Sequence, residues 1–88
     1  MIAPSPIVAL NRAVAIAEIE GPGAGLAVVE SVKLDRYYLF HAIRADLLRR
    51  LGDNERAASA YDAALALTSN ERERAFLTRA RDTLRRVH

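Results

Sequence analysis

The chain has 88 residues, 51% hydrophobic and 27% charged, with a formal net charge of +2 and no cysteine. That mix describes one water-soluble globular domain with a modest core, and the lack of thiols excludes disulfides and thiolate metal sites, which fits a reducing cytoplasm. No apolar run approaches the roughly 18 residues of a membrane span, the start lacks the basic residues of a signal peptide, and the high pI reflects twelve arginines against one lysine.

Seventeen alanines and few β-branched runs favour helices. Residues 1–5 read as a linker end and 6–88 as the helical domain. Pro4 breaks any incoming helix, Ser5 can cap the next one, and Pro6 suits a first helical position. A first helix is predicted to about Ile19, with Ile7, Leu10, Val14 and Ala17 on one stripe. Gly21-Pro22-Gly23 ends it. A short apolar helix follows over about Ala24–Val32. The turn Lys33-Leu34-Asp35 comes next, with Asp35 as the predicted cap of a third helix over about Arg36–Leu51. On a wheel at about 100° per residue, Tyr37, Phe40, Leu47, Leu48 and Leu51 form its apolar stripe.

Gly52 closes the third helix, because glycine enters the left-handed C-cap conformation without a Cβ penalty. Asp53 or Asn54 can cap a fourth helix, predicted to about Leu67. Ala57, Tyr61 and Ala64 follow at spacings of four and three and share one face. Small residues there admit a neighbouring helix and the tyrosine fills the gap, so Ala57, Tyr61, Ala64, Leu47, Leu48 and Leu51 are the expected core of this hairpin. The pattern resembles the second half of a tetratricopeptide (TPR) helix pair. Thr68-Ser69-Asn70 supplies the turn and cap for a fifth helix from Glu71 to near the end.

Gly21 and Gly52, 31 residues apart in the chain, each close the first helix of a pair. The expected fold is therefore all-α, with two TPR-like antiparallel hairpins and a C-terminal capping helix. The first hairpin fits the repeat pattern poorly, since glycines occupy the start of its second helix. TPR-like solenoids usually need three repeats.

The polar residues singled out are Asn11, Arg12, Glu18, His41, Arg44 and Asp46. Arg44 falls near the centre of the third helix's apolar stripe and His41 at its edge, while Asn11 and Glu18 flank the stripe of the first. An arginine on an apolar stripe needs a partner or a path to water. If the first helices of the two hairpins are neighbours, Arg44–Glu18 is the expected ion pair, with another carboxylate of the first or second helix as the alternative. These residues either tie helices together or line a partner groove.

Catalysis has little to draw on. His41 and His88 are the two histidines, no serine sits in a nucleophile elbow, and no spacing matches a metal site or a phosphate-cradling loop. No enzyme, metal or cofactor is expected. The fifth helix carries six arginines: Arg72, Arg79 and Arg86 border one side of an apolar stripe of Phe76, Leu77, Ala80, Leu84 and Val87, while Arg74, Arg81 and Arg85 border the other. Such arginines lay their stems over apolar edges, and Glu71, Thr78 and Asp82 dilute the charge that a duplex-binding face would gather. Neither direct nucleic-acid binding nor membrane binding is expected.

PSPIVALNRAVAIAEIEGPGAGLAVVE followed by YYLFHAIRADLLRRLGDNERAASAYDAALALTSNERERAFLTR resembles the C-terminal extension of one group of bacterial extracytoplasmic-function (ECF) RNA polymerase sigma factors. The most specific pieces are Ser5-Pro6 leading into Leu10-Asn11-Arg12-Ala13-Val14, then Gly21-Pro22, and His41-Ala42 followed by Arg44-Ala45-Asp46-Leu47-Leu48. The resemblance implies a TPR-like regulatory, protein-interacting domain in transcription initiation. Its partners would be its own upstream sigma regions, RNA polymerase or a regulatory protein. The regions that read the −10 and −35 elements have no counterpart here, so promoter recognition is carried over to no residue. The alternative is a free-standing TPR-type peptide-binding adaptor. The isolated chain is also expected to form a homodimer through apolar residues off the first helix's main stripe, Val8, Ala15 and Ile19, together with Val28, Val29 and Val32 of the second helix; the competing arrangement packs Val8 and Ile19 on the second helix of the same molecule.

Overall fold

The computed structural model describes residues 6–32 and 34–86. The linker reading of 1–5, the Ser5 cap, Val87 and His88 lie outside the described residues. Within them the regular structure is helical: α1 (Pro6–Glu20), α2 (Pro22–Glu30), α3 (Tyr38–Arg50), α4 (Asn54–Leu65) and α5 (Glu71–Arg86). Each helix packs on the next in sequence, and α1 also touches α3. The shortest principal dimension, 17 Å, suits two helix layers spaced about 8–10 Å apart.

The turns follow from their residues. Gly21 alone separates α1 from α2 and takes φ 101°. At the end of α3, Gly52 has φ 83°; its N–H donates to Arg49 O and the Asp53 N–H to Leu48 O, both at 3.0 Å. This Schellman arrangement satisfies carbonyls that the helix end leaves open. Asp53 then caps α4, its Oδ1 accepting from Arg56 N at 3.2 Å. Asn70 begins α5 in the same way, with Oδ1 accepting from Glu73 N at 3.0 Å. The predicted Asp35 cap is not formed. Tyr37 is the N-cap residue of α3 and makes no side-chain cap, because a backbone turn (Tyr37 N to Leu34 O, 3.0 Å) already orders the approach.

The core runs through all five helices: Leu10, Ala13 and Ala17 of α1, Leu26 and Val29 of α2, Phe40, Ala45, Leu47 and Leu48 of α3, six residues of α4, and Leu77 and Leu84 of α5. Ala57, Tyr61, Ala64, Leu47 and Leu48 are buried as expected. Leu51 is not: it is 49% exposed, since it is the C-cap residue of α3 and the chain leaves the helical path there. Tyr37 is exposed because it precedes the helix.

On α1 the buried stripe is Leu10–Ala13–Ala17, with Ile7 and Val14 exposed at its edges. The centre is small because α2 comes close: a Cβ built on Gly25 would lie 2.7 Å from Ala17 Cβ and 2.8 Å from Ala13 O. Glycine in α2 is therefore a packing requirement rather than a flaw in the hairpin. Val8 and Ile19 are exposed, Ile19 at 83%, so they do not pack on α2. Phe76, placed on the apolar stripe of α5, is 66% exposed.

Candidate functional site

Two depressions adjoin α3, one on its α1 side and one on its α5 side. One, of about 140 Å³, lies between α1 and α3 and is lined by Val14, Ala17, Ala42, Ile43, Asp46 and Arg50, with Leu47 at its floor. The other, of about 310 Å³, lies between α3 and α5 and is lined by Tyr38, Leu39, Ala42, Phe76, Leu77 and the pair Arg72–Glu73. Ala42 belongs to both. The two hollows therefore meet at Ala42, on either side of α3. The walls are mainly aliphatic and aromatic, with charges at the rims.

The six polar residues singled out from sequence do not form one site. Glu18 pairs with Arg50 (Oε1–Nη1 3.2 Å), and Arg50 Nε lies 3.0 Å from Asp46 Oδ2. Arg49 Nη2 takes the other Asp46 oxygen at 2.5 Å. This cluster rims the α1–α3 groove, so Glu18 and Asp46 are brought together, with Arg50 as the link that sequence reasoning missed. Arg44 does not reach Glu18. Its Nε donates to Glu30 Oε2 at 3.4 Å, and Arg56 approaches the same carboxylate at 3.8 Å. Glu18 sits in the last turn of α1 and Arg50 in the last turn of α3, so the two helices lie side by side in the same sense. Arg44 stands six residues earlier, about 9 Å back along the axis at 1.5 Å per residue, level with α2's C-terminal end instead. The wider expectation, a carboxylate from the first or second helix, is met by Glu30.

His41 Nε2 donates to the Asp35 carbonyl at 2.8 Å, and its ring meets Phe40 edge-on at 5.0 Å between centroids. The histidine thus pins the α2–α3 connection. Asn11 and Arg12 are exposed on α1, on the side of that helix away from its buried stripe.

Further polar contacts tie α5 to α3 and α4. Tyr38 donates to Glu73 Oε2 and Thr68 to Glu73 Oε1, each at 2.6 Å. The Thr68 and Tyr38 hydroxyls hold the Glu73 carboxyl below its ordinary range, and accepting from Tyr38 raises that phenol above its own. Arg74 Nη1 donates to Leu65 O at 2.5 Å and Thr68 O at 2.9 Å, placing a cation on the negative end of α4. Asp62 of α4 receives Arg81 and Arg85, both at 2.8 Å. The Arg81 hydrogen bond is the main cause that lowers its carboxyl.

Among the described residues no group of three or more His, Cys, Asp or Glu could hold a metal ion, and no helix is long and apolar enough to cross a membrane.

The chain is 45% identical over 83 residues to an uncharacterized protein of Rhizobium meliloti (strain 1021). The match covers 92% of this chain and 20% of that protein, so the chain spans about a fifth of the length of the curated relative it matches. No protein-family model matches the chain, and no solved structure matches it.

Proposed function

We propose that the chain is the regulatory C-terminal part of an ECF-type RNA polymerase sigma factor, built as TPR-like hairpins and acting through protein contacts in the cytoplasm. The observation that carries this reading is the second hairpin. Gly52 closes α3 in a left-handed cap, and Ala57, Tyr61 and Ala64 are all buried at the helix crossing, the small–aromatic–small order of such repeats. Two further features favour it. The first helices of the two hairpins are neighbours, joined at their ends by Glu18–Arg50. The R. meliloti relative is a much longer protein in which the matching segment is 20% of the length, as an extension attached to other regions would be.

In this reading the groove across α1, α3 and α5 docks a protein segment, either from the upstream sigma regions or from RNA polymerase. The chain contributes no catalytic group and no promoter contact. A free-standing peptide-binding adaptor remains the second reading, favoured by the same groove. In vitro transcription from the sigma factor's own promoter, with the segment present and deleted, separates the two. A change in initiation on deletion is expected. Identical transcription, or a reading frame without the two sigma regions, would defeat the proposal.

A further inference from the structure

The six arginines of α5 divide into two sets of three. Arg74 caps the end of α4, while Arg81 and Arg85 clamp Asp62. Arg72, Arg79 and Arg86 have no acidic partner among the described residues and are exposed. They recur every seven residues and so form one row along the helix. Phe76 stands between Arg72 and Arg79, four residues after one and three before the other, and is 66% exposed. It is also a wall of the α3–α5 groove, whose other apolar walls are Tyr38, Leu39, Ala42 and Leu77.

An apolar trough beside a row of unneutralised cations has a definite complement. We propose that this face binds an acidic amphipathic helix of a protein partner, with an apolar side chain in the trough against Phe76 and carboxylates on Arg72 and Arg79. The helix-in-groove mode needs anchors on one face and charges beside them: Arg72 is itself a wall of the trough, and Arg79 follows two turns on in the same row, lining the next hollow with Asp82 and Arg86. Arginine suits carboxylates because its fork can donate two parallel hydrogen bonds. A nucleic acid fits less well. The Glu73 carboxylate lies in the trough, where phosphates would meet it, while both its oxygens already accept from Tyr38 and Thr68 and leave Arg72 unneutralised. The proposal does not rest on the sigma-factor reading and is tested on the 88-residue chain itself.

The test is a fluorescence-anisotropy titration with a labelled peptide of glutamates and leucines at helical spacing carrying one phenylalanine. Three controls accompany it: the same peptide with serine for every apolar residue, the same peptide with lysine for every glutamate, and a single-stranded oligothymidine. Saturable binding of the first peptide alone, weakened by added salt, is expected. Phe76→Ser and the double variant Arg72→Glu/Arg79→Glu should each weaken it by at least about tenfold, the scale of an interface hot spot. Arg12→Glu should leave it within about twofold, as a rim charge remote from the contact would. The substituted side chains are exposed, and circular dichroism checks that each variant keeps its helices. Amide shift mapping on the unmodified chain supplies a second readout, with perturbations expected around Tyr38, Leu39, Ala42, Arg72, Phe76 and Arg79. No saturable binding, equal binding of the serine or lysine peptide, tighter binding of the oligonucleotide, or full affinity in either variant would overturn the proposal.

Discussion

Gly25 of α2 lies against Ala17 of α1 so closely that an added methyl would stand 2.7 Å from the Ala17 Cβ. The Ala13 carbonyl, at 2.8 Å, blocks the other direction, and backbone cannot swing aside as a long side chain can. Gly→Ala within a helix ordinarily stabilises by about 0.5–1 kcal/mol. Here overpacking reverses the sign, and Gly25→Ala should destabilise by about 1–3 kcal/mol. Gly23, whose Cβ would meet nothing nearer than Leu51 at 4.0 Å, is the control, and Gly23→Ala should stabilise by up to about 1 kcal/mol. Chemical denaturation of both variants checks this, and equal stability would mean that α1 and α2 are not in close contact.

Tyr61 fills the corresponding crossing of α3 and α4 and is 2% exposed. Burial raises its phenol above the ordinary range, with Arg49 acting in the opposite direction. Tyr61→Ala should cost about 3–5 kcal/mol, the loss of a large core side chain plus its cavity. Tyr61→Phe keeps the ring and should recover most of that. A loss below about 1 kcal/mol for the alanine variant, as at a surface site, would contradict the packing of this hairpin.

The helices and their turns were legible because glycine, aspartate and asparagine mark chain reversals by local chemistry. Gly52, Asp53 and Asn70 all act where their types predict. Errors in burial have two causes. A helical wheel extends past the true helix, which misplaced Tyr37 and Leu51. It also gives large side chains weight that the closest crossing does not: on α1 the centre is Ala13, while Ile7 and Val14 lie outward. The polar contacts were the least legible part. Tyr38–Glu73 and Glu18–Arg50 join residues 35 and 32 positions apart, and no periodicity within one helix points to such a partner.

Arg44 and Arg49 test whether the ion pairs behave as surface pairs. Glu30 keeps Arg56 as a second, more distant partner when Arg44 is removed, and its side chain is 41% exposed. Arg44→Ala therefore strands no buried carboxylate. Its own side chain is the better covered of the two, 22% exposed against 45% for Arg49, so it should lose slightly more. Both losses should stay under about 1 kcal/mol. A thermal-melt loss several times larger for Arg44 would indicate that the α2–α3 contact is tighter than described.

Val8, Ala15 and Ile19 form a row on α1 directly opposite its buried stripe, and all three are exposed. Contiguous apolar surface of this kind favours association, most simply as a two-fold pair. The isolated chain should sediment as a dimer at high micromolar concentration, and Ile19→Asp should shift it toward monomer. A single monomeric species of the unmodified chain would remove the expectation.

Asp62 provides the pH test. Its carboxyl is held below the ordinary aspartate value, chiefly by the Arg81 hydrogen bond and also by Arg85. A carboxyl depressed in the folded state stabilises the fold above its unfolded value near 3.9 and loses that contribution as pH falls through the folded value. The stabilisation is thus fully present at pH 7 and fades below about pH 4. Since the Asp62 side chain is 43% exposed, solvent screening limits the pair to the surface range of about 1 kcal/mol or less. Asp62→Asn should therefore lower stability at pH 7 by that amount and flatten the acid limb of the stability curve. Urea denaturation from pH 7 down to pH 2.5 measures both effects. An acid limb as steep in Asp62→Asn as in the unmodified chain would mean that the α4–α5 clamp does not form in solution.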